Sequence, residues 1–297
     1  MTGLFNTWYL RAGEAQARVV LADLGDPRAD EAAGRLTAEG LAVVVEPLVD
    51  GDDPMVAPVV AATRSAGLDP DDPVVAAAVL VRAGLADAAV AGAARPTADV
   101  LRAGLRVVGV AAGVSLVSSS MLMVLPDGQA VVFADCGVVP DPDAAQMASI
   151  AVSSARTFEQ LTGEQARVAM LSYSTMGSAE GARVDKVREA TRLATGLAPG
   201  LPVDGELQFD AAWIPEVAAA KAPDSAVAGR ANVFVFPDLD SGNIAYKVAE
   251  RMGGARAIGP LLQGLDGVLH DLSRGCSSSD IVDVAVIAGL MAGSSRG

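Results

Sequence analysis

The sequence predicts an α/β fold built on a largely parallel sheet. Short strand-like apolar runs alternate with helix-like segments along most of the chain, which is the pattern of parallel strands joined by helical crossovers. Several of those runs are apolar throughout, as expected of strands covered on both faces. A single turn signal breaks the pattern and predicts one antiparallel hairpin.

In chain order, Arg18-Val-Val-Leu-Ala22 reads as a buried strand. Asp26-Pro-Arg-Ala-Asp-Glu-Ala opens a helix, with Asp26 as N-cap, Pro27 in the first turn and Glu31 adding negative charge there. Leu41–Val45 and Ala88–Ala91 read as further strands. Leu116–Leu125 and Gln129–Asp135 flank Pro126-Asp127-Gly128 and read as the hairpin. Ala166–Leu171 and Asn232–Phe236 are later strands, the second stopped by Pro237. Asp280–Met291 is a final apolar helix with Ser277 as its N-cap.

The 297 residues, 51% of them hydrophobic, suffice for a large core and for two domains. A formal net charge of −14 repels phosphate backbones and anionic lipid, so neither nucleic acid nor a membrane surface is an expected partner. Cys136 and Cys276 have neither metal-type nor disulfide-framework spacing, which fits a reducing cytoplasm. Met1-Thr-Gly-Leu-Phe-Asn-Thr-Trp8 lacks a basic and then apolar leader pattern, so no secretory signal is expected. Arg82 and Asp87 interrupt the apolar window Val74–Ala94, so no membrane span is expected either.

The stretch richest in chemistry is Asp271-Leu-Ser-Arg-Gly-Cys-Ser-Ser-Ser-Asp280. It sets a hydroxyl (Ser273), a fixed cation (Arg274) and a carboxylate (Asp280) within eight residues at the mouth of an apolar helix. Such groups can bind an anion, steady a developing oxyanion and take a proton. Taken locally, Ser277 with Asp280 is equally an S-x-x-D capping arrangement, and the two readings are compatible. Cys276 has no visible His-Asp partnership to activate it, and His270, the single histidine, has no accompanying ligand set, so no metal site is expected.

Several blocks, in order, resemble the phosphate acetyltransferase (phosphotransacetylase) and phosphate butyryltransferase family. Besides the run ending at Asp280, they include Arg18–Arg28, Ala91-Gly-Ala-Ala-Arg-Pro-Thr-Ala-Asp-Val-Leu-Arg102, Phe133-Ala-Asp-Cys, Pro140-Asp-Pro-Asp and Met170-Leu-Ser-Tyr-Ser-Thr-Met-Gly-Ser178. Val184–Thr191, Val203-Asp-Gly-Glu-Leu-Gln-Phe-Asp210, Lys221-Ala-Pro-Asp-Ser, Val227–Asn232 and Phe236–Asn243 continue the likeness. The resemblance covers about residues 18–292 and is densest from 130 onward.

The resemblance implies a two-domain α/β fold like that of isocitrate and isopropylmalate dehydrogenases, with an active-site cleft between domains and a homodimeric assembly. Residues 1–110 with 261–297 would form a discontinuous domain I, and 111–260 an inserted domain II. It implies reversible transfer of an acetyl group between acetyl phosphate and coenzyme A, with no tightly bound cofactor. Asp280 is then the base, with Ser273 and Arg274 at the reacting centre. Reference pKa values put transfer of a thiol proton to an aspartate about 6 kcal/mol uphill in water. Desolvation of the carboxylate and a guanidinium beside the thiol would narrow that gap. Arg102 and Arg64 are further candidates for the acyl phosphate, because a guanidinium holds two phosphate oxygens at once. Thr97 belongs to the same Thr-Ala-Asp-x-x-Arg block as Arg102. Ser174, Thr175 and Gly177 resemble a small polar loop after a strand, where backbone amides can meet phosphate.

The chain departs from the family pattern at Arg95-Pro96, where His-Thr or His-Ser is usual, at Met176, and at Val268-Leu269-His270 in place of Pro-Val-Asn. Rival readings are a phosphate propanoyl- or butyryltransferase, a decarboxylating dehydrogenase of the wider superfold, and a non-catalytic regulatory homologue.

Overall fold

The computed structural model describes residues 3–294. The chain divides into two compact units, Met1–Gly113 with Ile258–Gly297, and Val114–Ala257. The first unit begins with α1 (Gly3–Ala15), β1 (Arg18–Leu21), α2 (Pro27–Ala38), β2 (Val43–Val45), α3 (Ala57–Ser65), α4 (Pro73–Arg82), β3 (Ala88–Ala91) and α5 (Thr97–Ala103), which runs into a π turn at Gly104–Val108. The second holds β4 (Ser118–Val124), β5 (Ala130–Ala134), α6 (Ala144–Thr162), β6 (Val168–Leu171), α7 (Ala182–Leu197), β7 (Val203–Leu207), α8 (Phe209–Trp213), α9 (Pro215–Lys221), β8 (Val233–Val235) and α10 (Leu239–Arg251). Strand β9 (Arg256–Gln263) returns the chain to the first unit, which ends with β10 (Val268–Asp271) and α11 (Ser278–Ser294).

The α/β expectation holds. A four-stranded sheet has the order β10-β3-β1-β2, and all its pairings are parallel. Its strands are short and apolar: β3 is buried at all four positions and β1 at three of four. Helix α11 packs on β1, β3 and β10 and against α1 and α2. It is buried on nearly every side, from Ile281 through Leu290, which explains a sequence too uniformly apolar to show a helical stripe. The second sheet has the order β7-β6-β8-β5-β4-β9. Its β6, β7, β8 and β5 pairings are parallel, and β4–β5 is the expected hairpin. The Gly128 amide donates to the Leu125 carbonyl at 2.8 Å, and Asp127 accepts from the Gln129 amide at 2.9 Å, closing the turn as Pro-Asp-Gly chemistry dictates.

Asp26 caps α2 by accepting from the Arg28 amide at 2.9 Å, with Pro27 in the first turn. Several strands are shorter than the runs that predict them, β1 ending at Leu21, β8 spanning only Val233–Val235 and the hairpin strands Ser118–Val124 and Ala130–Ala134; for β2 and β6 the cause is visible. Leu41 and Ala42 belong to the turn before β2, because the Leu41 amide still bonds back to the Leu36 carbonyl at the end of α2. Strand β6 starts at Val168 rather than Ala166, because the Arg167 amide is diverted to the Asn232 side chain at 2.7 Å. No helix among the described residues is long and apolar enough to cross a membrane.

Candidate active site

Strand β10 delivers the chain to the signature loop, and α11 takes it away. Leu272 is buried, Ser273, Arg274 and Gly275 are exposed, and Cys276 is buried again. The loop turns tightly: the Cys276 amide donates to the Ser273 carbonyl at 2.9 Å, and the Gly275 amide donates to Ser273 Oγ at 3.3 Å. The two groups suited to an anion, the Ser273 hydroxyl and the Arg274 guanidinium, therefore face outward on a short, constrained arch. At its far end Ser277 and Asp280 bond reciprocally. Asp280 Oδ2 accepts from the Ser277 amide at 2.8 Å and hydroxyl at 2.9 Å, and Ser277 Oγ accepts from the Asp280 amide at 3.2 Å. The capping reading is thus realised, and it fixes the carboxylate at the start of α11. Both bonds fall on Oδ2.

Arg28, at the start of α2, pins the arch from behind. Its Nη1 donates to the carbonyls of Arg274 at 2.8 Å and Cys276 at 3.1 Å, and its Nη2 donates to the Ala93 carbonyl at 2.8 Å. Asp26 holds the same guanidinium in a bidentate pair. Asp23 completes the cradle by accepting from the amides of Ala93 and Ala94 at 3.0 and 3.1 Å. Arg28 and Asp23 lie within the block Arg18–Arg28, where nothing local sets them apart. Their importance depends on three distant segments converging, which local spacing does not display.

Cys276 is poorly suited to nucleophilic attack. Burial pushes its thiol up to about 11; Arg28 opposes the shift, and the charges of Asp280 and Asp23 reinforce it. His270 is buried with Nδ1 accepting from the Leu262 amide at 3.1 Å and Nε2 lying 3.3 Å from Met291 Sδ. Burial lowers its pKa to about 4, so it is a neutral structural group. Among the described residues, no group of three His, Cys, Asp or Glu side chains is placed to hold a metal ion.

The other expected residues fall into separate places. Thr97 opens α5, and its hydroxyl donates to Asp271 Oδ2 at 2.6 Å, joining it to the strand that leads into the signature loop. Arg102, exposed on the same helix, pairs with Asp99 at 2.7 Å. Arg64 is exposed in the last turn of α3. Neither arginine bonds to the signature loop among the described residues. Arg95, the departure from the family pattern, pairs with Asp72, the N-cap of α4.

In the second unit, Ser174, Thr175 and Gly177 form a closed structure. Ser174 and Thr175 are buried. Glu206 is 2% exposed, and its Oε1 accepts from the Ser174 hydroxyl at 2.8 Å, the Gly177 amide at 2.9 Å and Arg188 Nη2 at 3.1 Å. Arg188 Nε donates to Oε2 at 2.9 Å, and the Glu206 carbonyl accepts from the Met176 amide. Met176 and Gly177 both have positive φ, at 45° and 89°. That conformation turns the Gly177 amide inward onto a carboxylate. Donors that the sequence suggested for a phosphate are thus taken up by a side chain of the same unit. Thr175 Oγ1 is likewise bonded to the amide and side chain of Gln208.

Against known proteins, residues 58–289 match the family described as "Phosphate acetyl/butaryl transferase". The chain belongs to the phosphate acetyl/butyryl transferase family. It is 45% identical over 298 residues to a phosphate acetyltransferase of Paracoccus denitrificans, an alignment covering 92% of this chain and 94% of that one. It is 50% identical over 226 residues to a phosphate acetyltransferase of Acetivibrio thermocellus, covering 74% and 68% of the two chains. A crystal structure of a phosphotransacetylase from Streptococcus pyogenes superposes with a TM-score of 0.89 at 41% identity, covering 98% of each chain. Membership in this family makes the chain an enzyme of the acyltransferase class.

Proposed function

We propose that this acyltransferase moves an acetyl group reversibly between acetyl phosphate and coenzyme A, by direct attack of the CoA thiolate in a ternary complex. One observation carries the reading most strongly. Ser273 and Arg274 stand exposed on an arch pinned by Arg28, three residues before the capping pair that fixes Asp280.

The CoA thiol gives its proton to Asp280. The thiolate sulfur then bonds to the carbonyl carbon of acetyl phosphate. The bond from that carbon to the bridging oxygen breaks, its electron pair leaves with phosphate, and Asp280 returns the proton to bulk or to the departing phosphate. Arg274 neutralises the phosphate and the negative charge that develops during attack, and a planar guanidinium does so at any working pH. Ser273 donates its hydroxyl to the thiol or the carbonyl oxygen. Pinning the arch through main-chain carbonyls leaves these side chains free for substrate while fixing their origin. Thr97, Arg102 and Arg64 serve as substrate-side groups of the first unit. In the second unit Ser174, Thr175 and Gly177 contribute the loop they build, since their inward donors are engaged by Glu206 and Gln208.

In this reading, domain I is 1–110 with 261–297, domain II is 111–260, coenzyme A is a substrate rather than a resident cofactor, and the enzyme works in the cytoplasm as a homodimer. The deciding experiment is thioester formation from acetyl phosphate and CoA, followed by the thioester absorbance, with Arg274→Ala as control. Turnover that the substitution abolishes is expected. Folded protein that turns over neither acetyl, propionyl nor butyryl phosphate would make the chain a non-catalytic homologue. Faster turnover of the longer acyl phosphates would make it a propanoyl- or butyryltransferase.

A further inference from the structure

Asp271 is the last residue of β10 and stands two residues before Ser273. It is completely buried. Its Oδ2 accepts from the Thr97 hydroxyl at 2.6 Å, and its Oδ1 has no hydrogen-bond partner. Beside it, Gly92 has φ +108°, and a Cβ built there would lie 2.2 Å from Asp271 Oδ1 and 2.8 Å and 2.9 Å from the Leu272 nitrogen and oxygen. The carboxylate is therefore clasped between the paired ends of β3 and β10 and the first residue of α5.

A buried carboxylate with one oxygen unmatched is an unfavourable group to keep. Burial pushes its pKa up to about 6, against the Thr97 hydroxyl and the Leu272 amide, with the charge of Asp23 adding to the rise. An asparagine would fill the same space without the cost of a buried charge. Groups that lower stability in this way persist where they hold something in place. Here the carboxylate joins the two segments that start Thr97–Arg102 and Leu272–Arg274.

We infer that Asp271 is a positioning residue for acyl transfer, which through Thr97 and Leu272 keeps the start of α5 in register with the arch that carries Ser273 and Arg274. The inference rests on the acetyltransferase reading above. Asp271 is enclosed by protein and acts only through its neighbours.

The test compares wild type, Asp271→Asn, Thr97→Val and the double variant in the acetyl phosphate and CoA assay, alongside thermal unfolding at pH 8. Asp271→Asn is expected to lower kcat about 10- to 100-fold, the scale on which a small misplacement of reacting groups acts. The KM values should stay within about threefold, and the unfolding temperature at pH 8 should equal or exceed that of wild type, since the ionised carboxylate is removed. The double variant should be no worse than the worse single variant to within about twofold, because both break one coupling. A group that only supported the fold would instead lower the unfolding temperature and lose activity in step with it. Wild-type kcat in Asp271→Asn, a kcat loss that tracks lost stability, or losses that multiply in the double variant would each overturn the inference and leave the acetyltransferase reading intact. An inactive wild type would overturn that reading and this inference together. Should Asp271→Asn fail to fold, Thr97→Val decides: unchanged kcat, or a loss carried by a raised KM as for a direct substrate contact, sinks the inference, and a kcat loss of about 10-fold or more at unchanged KM and unfolding temperature supports it.

Discussion

Asp271 in the first unit and Glu206 in the second are both buried carboxylates beside polar loops, yet their environments drive them in opposite directions. Burial pushes both upward. At Asp271 the Thr97 hydroxyl and the Leu272 amide cannot offset it, and the group settles at about 6. At Glu206 the Arg188 guanidinium, the Gly177 amide and the Ser174 hydroxyl outweigh it and hold the group at about 2. Depth is therefore a poor guide to charge, and the count and kind of donors decide it. The loops follow suit. The one closed on Glu206 spends its donors internally. The one that follows Asp271 keeps its hydroxyl and guanidinium exposed.

The widest separation between the two loops should appear on exchanging their carboxylates for neutral groups. Asp280→Asn, on the open side, should lower kcat by about 10²–10⁴, the usual range for a general base, while shifting stability little. Wild-type turnover in that variant would remove Asp280 from the mechanism. Glu206→Ala, on the closed side, leaves the Ser174 hydroxyl and the Gly177 amide without their acceptor. It should destabilise the fold by about 3 kcal/mol, measured by denaturant unfolding.

A subtler contrast lies in acid. Because the folded pKa of Asp271 is raised, its contribution to stability is full below about 4 and is lost as pH rises through about 6. Because that of Glu206 is depressed, its contribution is full above about 4.5 and is lost as pH falls through about 2. Each shift corresponds to about 3 kcal/mol, as an order of magnitude. Asp271→Asn should flatten the stability profile between about pH 4 and 6, and Glu206→Gln between about pH 2 and 4.5. Profiles that leave either window unchanged would show that the two environments do not differ in this way. The smallest effect belongs to the cap: Ser277→Ala should cost about 1 kcal/mol of stability and lower kcat less than Asp280→Asn does.

Much of the fold could be read from residue patterns with local causes. Asp26-Pro27 marks a helix start, Pro126-Asp127-Gly128 a hairpin, and the apolar tetrads of β1 and β3 a buried sheet, because cap, turn and strand chemistry acts over a few residues. That Ser273, Arg274, Ser277 and Asp280 share one loop, with a cap closing it, is legible for the same reason. The role of Arg28 was not, because its acceptors come from residues 93, 274 and 276. Nor was that of Glu206. Asp-Gly-Glu-Leu looks like ordinary strand-end polarity until Arg188 and the Ser174 loop are folded onto it. Ser174 and Gly177 looked ready for phosphate because sequence records which residues carry donors but not which acceptor in the same unit reaches them first.

The histidine beside Asp271 has a practical consequence. His270 is the only one in the chain, it is buried, and with a pKa near 4 it stays neutral above about pH 5. A nuclear magnetic resonance spectrum of imidazole-labelled protein would therefore contain a single set of ring signals, silent to its own titration in the range where Asp271 changes charge. Any movement of those signals near pH 6 would come from the neighbouring carboxyl, so the enzyme carries its own reporter one residue from the group to be watched.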